Sequence, residues 1–339
     1  LNKEKNLYIL NSSKWLLNCG ALDAYSSKLW YLTKTPFSNN FFKQVISDLS
    51  NLYGSIKGLS KKLLILDLDD TLWGGIVGEV GWKNLRIGGH DHLGEAFRDF
   101  QIQIKSLKNH GIILALVSKN DETTAIEAIN SHPEMVLSME DFVAHRINWE
   151  DKAKNIVDIV NELNLGLQSV VFLDDSPFER ARVQEVLPEV LVPELPKNPE
   201  DYNAFLSKLR CFDKTYITDE DKIRGDLYKS ESKRTKLKQQ LKSLSDWIKT
   251  LDLTITIENI KNENTPRAVQ LLNKTNQMNL STRRLNEREF NKWVQEDKNN
   301  LWTIRAADKF GDYGIVGIFS ISIKDNVATL VDFILSCRV

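Results

Sequence analysis

The chain has 339 residues, a length that predicts two domains, or three. It is 42% hydrophobic and 27% charged with a net charge of −1, an ordinary soluble composition that excludes global electrostatic attraction to nucleic acid or an anionic membrane. Three scattered cysteines (Cys19, Cys211 and Cys337) exclude a short-spaced zinc site and point to a reducing, cytoplasmic compartment. No apolar run is long enough to span a bilayer, and the start Leu1-Asn2-Lys3-Glu4-Lys5 lacks the order of a secretory signal. The missing initiator Met and the abrupt end at Ser336-Cys337-Arg338-Val339 predict a piece of a longer polypeptide or a trimmed one.

Residues 1–58 read as a helical segment, with a break at Pro36-Phe37-Ser38 that caps a helix from Phe41 to Leu52. The pattern changes at Lys61. Leu63-Leu64-Ile65-Leu66 is a short continuous apolar run, as in a strand buried on both faces, and similar runs lie at Ile112–Val117, Val136-Leu137, Val170–Leu173 and Val190–Val192. Helical spacing separates them at Glu95–Asn109, Glu122–Ser131 and Lys152–Leu163. This alternation predicts an α/β domain over 59–200, a parallel sheet with helices on both faces, whose ligands bind beyond the carboxyl ends of the strands. Residues 201–250 read as a connector, charge-rich and helical from about 219 to 249. A second, smaller α/β domain follows over 251–339: a strand at Leu253–Ile257, helices at Pro266–Lys274 and Asn286–Asp297, then strands at Trp302–Ala306, Ile315–Ile323 and Ala328–Leu335.

Four segments carry chemistry. Asp67-Leu68-Asp69-Asp70-Thr71 follows the first buried strand; one carboxylate there can attack phosphorus and bind a cation while the other moves a proton. A lone pair of acids in this spacing is more often an acidic loop capping a strand. Ser118, after the next strand, either binds a phosphoryl oxygen or caps the following helix. Lys152 opens a helix, where it either offsets the charge of nucleophile and phosphate or is a surface lysine. Asp174-Asp175, after Val170–Leu173, completes an oxygen-only Mg2+ site. The four in this order resemble the haloacid dehalogenase (HAD) superfamily over about 61–190, with its Rossmann-like sheet. The resemblance implies Asp67 as nucleophile and metal ligand, and Asp69 as general acid/base and carbonyl ligand. It further implies Ser118 and Lys152 as phosphoryl holders, and Asp175 as direct acidic ligand with Asp174 beside it.

Longer segments resemble the FkbH-like family from about Leu29 to the end: Leu72-Trp73-Gly74-Gly75-Ile76-Val77-Gly78-Glu79, Ser118-Lys119-Asn120-Asp121, His132-Pro133-Glu134-Met135, Arg146-Ile147-Asn148-Trp149, Leu271–Gln277, Thr282-Arg283-Arg284, Phe310–Gly314 and Ser336–Val339. The resemblance implies an enzyme that takes a three-carbon unit from 1,3-bisphosphoglycerate, removes the phosphate and loads a glyceryl or lactyl group onto the phosphopantetheine arm of an acyl carrier protein, within polyketide-type biosynthesis. It implies a GNAT-like second domain, truncated here. It also draws Asn120, Gly74 and Gly75 into substrate binding, with Gly74-Gly75 in a flexible flap; the polar and basic cluster of Asn276, Arg283 and Arg284 after a helical run either contacts the acyl phosphate or the carrier's phosphopantetheine phosphate or is plain helix-end capping and surface charge. Cys337 is either the acyl-carrying thiol or a buried strand cysteine; Cys19 and Cys211 read as structural. The family usually has Asn at Asp70 and at Ser176, so Asp70 adds negative charge beside the nucleophile. A stand-alone Mg2+ phosphatase and a non-catalytic docking domain of a synthase are the alternatives.

Overall fold

The computed structural model describes residues 8–56, 59–89, 91–213, 225, 228, 251–274, 278–281 and 283–336. They fall into two compact units, one within Leu1–Lys229 and the other within Ser230–Val339. The predicted connector at 219–249 lies almost wholly outside the described residues.

The first unit opens with helices α1 (Ser12–Cys19), α2 (Ser27–Thr33) and α3 (Asn39–Ile56). The Ser38 hydroxyl caps the last of these by accepting from Phe41 N at 3.3 Å, at the predicted break. Buried Asp48 on α3 accepts from Trp15 Nε1 at 2.6 Å and Arg210 Nη1 at 2.5 Å, tying the N-terminal helices to the far end of the same unit.

A four-stranded parallel sheet follows, in the order β3-β2-β1-β4, from β1 (Leu63–Leu66), β2 (Ile113–Ser118), β3 (Phe142–Ile147) and β4 (Val170–Leu173). Side chains alternate along each strand, so one apolar run feeds two cores. Leu64, Leu66, Leu114, Leu116, Val171 and Leu173 pack with Phe97, Phe100 and Ile104 of α5 (His92–Asn109) and Ala125 and Ile129 of α6 (Glu122–Ser131). Leu63, Ile65, Ile113, Ala115, Val170 and Phe172 pack on the other face with Ile156 and Ile159 of α7 (Lys152–Glu162) and Val183 of α8 (Pro177–Val186). The expected α/β layering with helices on both faces is therefore present. A short helix, α4 (Val77–Val80), precedes α5, and α9 (Tyr202–Lys208) packs its Tyr202 edge-on against Phe97 and Phe100.

Two sequence expectations are corrected. Val136-Leu137 is not a strand: both backbone N–H groups donate to Gln101 Oε1 (3.0 and 3.2 Å), so buried Gln101 occupies the donors a ladder would need. The outer strand is β3, whose alternating burial conceals it from a search for continuous apolar runs. Val190–Val192 contributes one parallel bridge, Leu191 to Val171, and no strand.

The second unit is a five-stranded antiparallel sheet in the order β5-β7-β8-β9-β6: β5 (Thr254–Asn259), β6 (Met278–Asn279), β7 (Asn299–Asp308), β8 (Gly311–Lys324) and β9 (Val327–Leu335). Helices α10 (Thr265–Lys274) and α11 (Glu287–Val294) supply Leu271, Leu272 and Phe290 to a core with Leu301, Ile318 and Ile334 of the sheet. Asn286 and Glu289 form a reciprocal capping box at the start of α11. None of the described helices is long and apolar enough to cross a membrane.

Phe172 is wholly buried between the sheet and α7–α8. Phe172→Ala is expected to cost about 3–5 kcal/mol of the first unit's stability, read as a lowered urea midpoint with tryptophan fluorescence as the probe.

Candidate active site

The parallel register sets the site. Leu66 of β1 lies beside Leu116 of β2 and Leu173 of β4, so the residues after these strands emerge together. Asp67 N donates to Leu173 O at 3.0 Å, prolonging the β1–β4 ladder by one bond and bringing Asp67 next to Asp174. Ser118 ends β2 and is buried. It does not cap the next helix, because Asp121 does so by accepting from Thr124 N at 2.9 Å. Lys152 is delivered from the side by α7, whose N-cap is Asp151.

Asp67, Asp174 and Asp175 each offer an oxygen within 4.8 Å of the others, the one such acidic cluster among the described residues. Lys152 Nζ, itself buried, lies 3.1 Å from Asp67 Oδ2 and 2.6 Å from Asp174 Oδ2. One ammonium thus faces three carboxylates in a desolvated place, an excess of negative charge that is costly without a further cation. Burial pushes the Asp67 carboxyl up to about 6; Lys152 offsets part of that and Asp174 adds to it. Burial likewise raises Asp175 to about 6, helped by Asp67 and Asp70, and burial raises Asp174 as well. Burial works against the Lys152 cation, but Asp67 and Asp174 outweigh it and hold its pKa above the ordinary value. Asp67 Oδ1 is buried without a hydrogen-bond partner among the described residues. An orphaned carboxylate oxygen beside two more carboxylates fits a hard, oxygen-seeking dication such as Mg2+. Asp67 and Asp175 are the more available donors, since both Asp174 oxygens are already engaged, Oδ2 by Lys152 and Oδ1 by Ser176 N at 2.9 Å.

Further hydrogen bonds fix this arrangement, and those from Arg180 carry no sequence signal. Arg180 Nη1 donates to the carbonyls of Asp174 and Asp175 (2.8 and 2.6 Å), clamping the loop from α8. Asp175 N donates to Thr71 Oγ1 at 3.1 Å, joining the two acidic loops. Asp70 sits in the left-handed region at φ 50°, which Asp tolerates; its Oδ1 accepts from Gly75 N at 2.8 Å and its carbonyl from Tyr202 at 3.1 Å. Asp69 is held by Trp73, Val77 and Asn120. Asn120, expected at the substrate, therefore lies against the acid/base candidate. Gly74 is pinned rather than loose: it exchanges backbone hydrogen bonds with Arg86 (3.1 and 3.0 Å), and a Cβ there would meet Phe97 at 2.9 Å. Gly75 takes φ 100°.

In the second unit the expected substrate arginines are engaged internally. Arg283 forms a bidentate pair with Asp332, which is buried and also accepts from Ser320 Oγ at 2.5 Å, and Arg283 lies over the Trp293 ring at 4.3 Å. Arg284 Nη1 donates to Leu272 O at 2.7 Å. Asn276 and Cys337 lie outside the described residues. Burial pushes the Cys211 thiol up to about 12, which suits a structural thiol rather than a nucleophile.

No family model and no curated protein matches the chain. Among solved structures it is similar to the N-terminal part of the protein BF1531 from Bacteroides fragilis, described as containing a phosphatase domain complexed with Mg. The identity is 42% over 61% of this chain and 55% of that one, with a TM-score of 0.59. This chain thus spans about half the length of that solved chain. A hypothetical protein, XCC2798 from Xanthomonas campestris, is 15% identical over 56% of this chain and 93% of its own, and its TM-score of 0.29 is too low to carry an argument. The first likeness supports a HAD-like phosphatase.

Two outcomes follow from these geometries. With native carboxyls raised from 3.8 to about 6, the metal-free native state holds protons that the unfolded chain has released, so stability falls as pH rises across that window. The same protons compete with a dication: Mg2+ affinity by titration calorimetry is expected to drop at least about tenfold from pH 7.5 to pH 5, and the Mg2+-induced rise in melting temperature shrinks with it. Separately, Arg283→Ala strands a buried Asp332 and is expected to destabilise the second unit by roughly 3–5 kcal/mol, seen as a lower denaturant midpoint in the absence of any substrate.

Proposed function

We propose that the chain is a Mg2+-dependent phosphatase of the HAD type, with Asp67 as nucleophile. The observation that carries this reading is the buried, unpartnered Oδ1 of Asp67 within a cluster of three acids and one buried lysine. The likeness to a Mg-complexed phosphatase domain supports it. Mg2+, held by Asp67, Asp175 and the Asp69 carbonyl, would neutralise charge on the phosphoryl group and on the nucleophile. An Asp67 carboxylate oxygen attacks phosphorus, and the leaving oxygen departs with its electron pair and takes a proton from Asp69. Water then attacks the aspartyl phosphate, gives a proton to Asp69, and releases inorganic phosphate and Asp67. Ser118 donates to a phosphoryl oxygen, and Lys152 holds the negative charge of phosphate and nucleophile together.

A finer reading rests on the FkbH-like segments: the substrate is 1,3-bisphosphoglycerate and the product a glyceryl group on an acyl carrier protein. An acyl phosphate is already activated, so a thiolate attacks its carbonyl carbon and expels the C1 phosphate without a further energy source, and the phosphate taken by Asp67 is the phosphoester on C3. Cys337 is the thiol proposed for that step.

Incubation with Mg2+, 1,3-bisphosphoglycerate and a phosphopantetheinylated carrier separates the readings by intact mass and phosphate release. Acylated carrier supports the finer reading, and free phosphate with unmodified carrier leaves the phosphatase alone. Neither product supports a docking domain. With a phosphomonoester as substrate, Asp67→Asn is expected to lower phosphate release by on the order of 10³-fold or more and Cys337→Ala to spare it, while Cys337→Ala abolishes any acyl adduct on the protein formed from 1,3-bisphosphoglycerate.

A further inference from the structure

The Asp69 carboxylate is gripped asymmetrically. Its Oδ1 accepts two N–H groups, Trp73 Nε1 at 2.8 Å and Val77 N at 3.0 Å. Its Oδ2 accepts one, Asn120 Nδ2 at 2.8 Å. A carboxylate oxygen has about two lone-pair sites in its plane, so Oδ1 is filled and Oδ2 keeps one position open among the described residues. Asn120 Nδ2 also lies 3.3 Å from Ser118 Oγ, so the open oxygen is the one on the Ser118 side.

The Trp73 indole is well placed to enforce this. The ring is wholly buried, and the next residue, Gly74, is locked to Arg86 by two backbone hydrogen bonds. A buried aromatic ring at this point needs only bulk for packing, whereas an indole N–H demands a partner. Here that partner is the acid/base carboxylate, four residues upstream.

We propose that Trp73 is the positioning residue for proton transfer: its N–H fixes Asp69 Oδ1, so that Oδ2 is the atom that exchanges the proton with the leaving oxygen. This rests on the phosphatase reading of Asp69. In the first step the bond from phosphorus to the leaving oxygen breaks, its electron pair goes to that oxygen, Asp67 forms the new bond to phosphorus, and Oδ2 gives up its proton. In the second, water forms the bond to phosphorus, the bond to Asp67 breaks, and the proton of the attacking water returns to Oδ2. Asn120 steadies Oδ2 without filling it.

Leaving-group dependence tests this. Phenyl phosphate needs a proton on its departing oxygen, whereas 2,4-dinitrophenyl phosphate does not. Trp73→Phe is expected to lower kcat/KM, which reports only the steps up to departure of the leaving group, about 10- to 100-fold for phenyl phosphate while changing that for the dinitrophenyl ester by less than about threefold, with the Mg2+-induced thermal shift unchanged. Equal losses on both esters, or no loss on either, would overturn the assignment, the first pointing to packing alone. Should Trp73→Phe not fold, benzothienylalanine at position 73, which replaces the N–H by sulfur at nearly equal volume, gives the same comparison. Wild-type protein that hydrolyses neither ester, or an Asp67→Asn variant that hydrolyses both normally, defeats the phosphatase reading itself, a result distinct from any confined to position 73.

Discussion

The first unit is organised around an electrostatic debt at the carboxyl ends of β1 and β4. Two buried strands that run parallel and in register must end side by side, and here each ends in carboxylates: Asp67 after one, Asp174 and Asp175 after the other. Lys152, carried in by α7, answers part of that charge through two short contacts. Burial, with the remaining negative charge adding to it, raises the carboxyl pKa values, and Asp67 Oδ1 has no hydrogen-bond partner among the described residues. Carbonyl clamping by Arg180 and the Thr71–Asp175 contact keep the acids from swinging apart to relieve the repulsion. The fold therefore maintains a strained cluster, and such strain is what metal binding and a nucleophilic carboxylate use.

Much of this was legible in the sequence, for a physical reason. A parallel α/β sheet delivers its chemistry at strand ends, so an apolar run followed by Asp, Ser or Asp-Asp names the site and its neighbours together. That logic places Asp67, Ser118 and Asp174-Asp175 at strand ends and Lys152 at a helix start, where the structure has them. It failed where burial was not continuous. β3 alternates between core and solvent, and Val136-Leu137 looks like a strand but spends its backbone donors on Gln101.

The supporting contacts were not legible for a different reason. Trp73, Arg180 and Tyr202 act through single hydrogen bonds to loop atoms, and in one sequence a tryptophan, an arginine and a tyrosine at these positions are indistinguishable from packing or surface residues. Asn120 belongs to a motif that points to the substrate, and its bridge between Asp69 and Ser118 has no signature of its own in the sequence. In the second unit, the pairing of Arg283 is hidden in the sequence because its partner Asp332 lies 49 residues away on β9. The general pattern is that covalent and metal chemistry leaves a motif, while the hydrogen bonds that aim it do not.

The central claim is that Asp67 becomes covalently phosphorylated. The most direct test quenches the Mg2+-loaded protein in acid during turnover of a phosphomonoester, reduces it with borohydride and maps the peptides. Homoserine in place of Asp67 is the predicted result, since borohydride reduces an acyl phosphate but not a free carboxylate. Homoserine at another aspartate, or at none while phosphate is being released, would contradict the account.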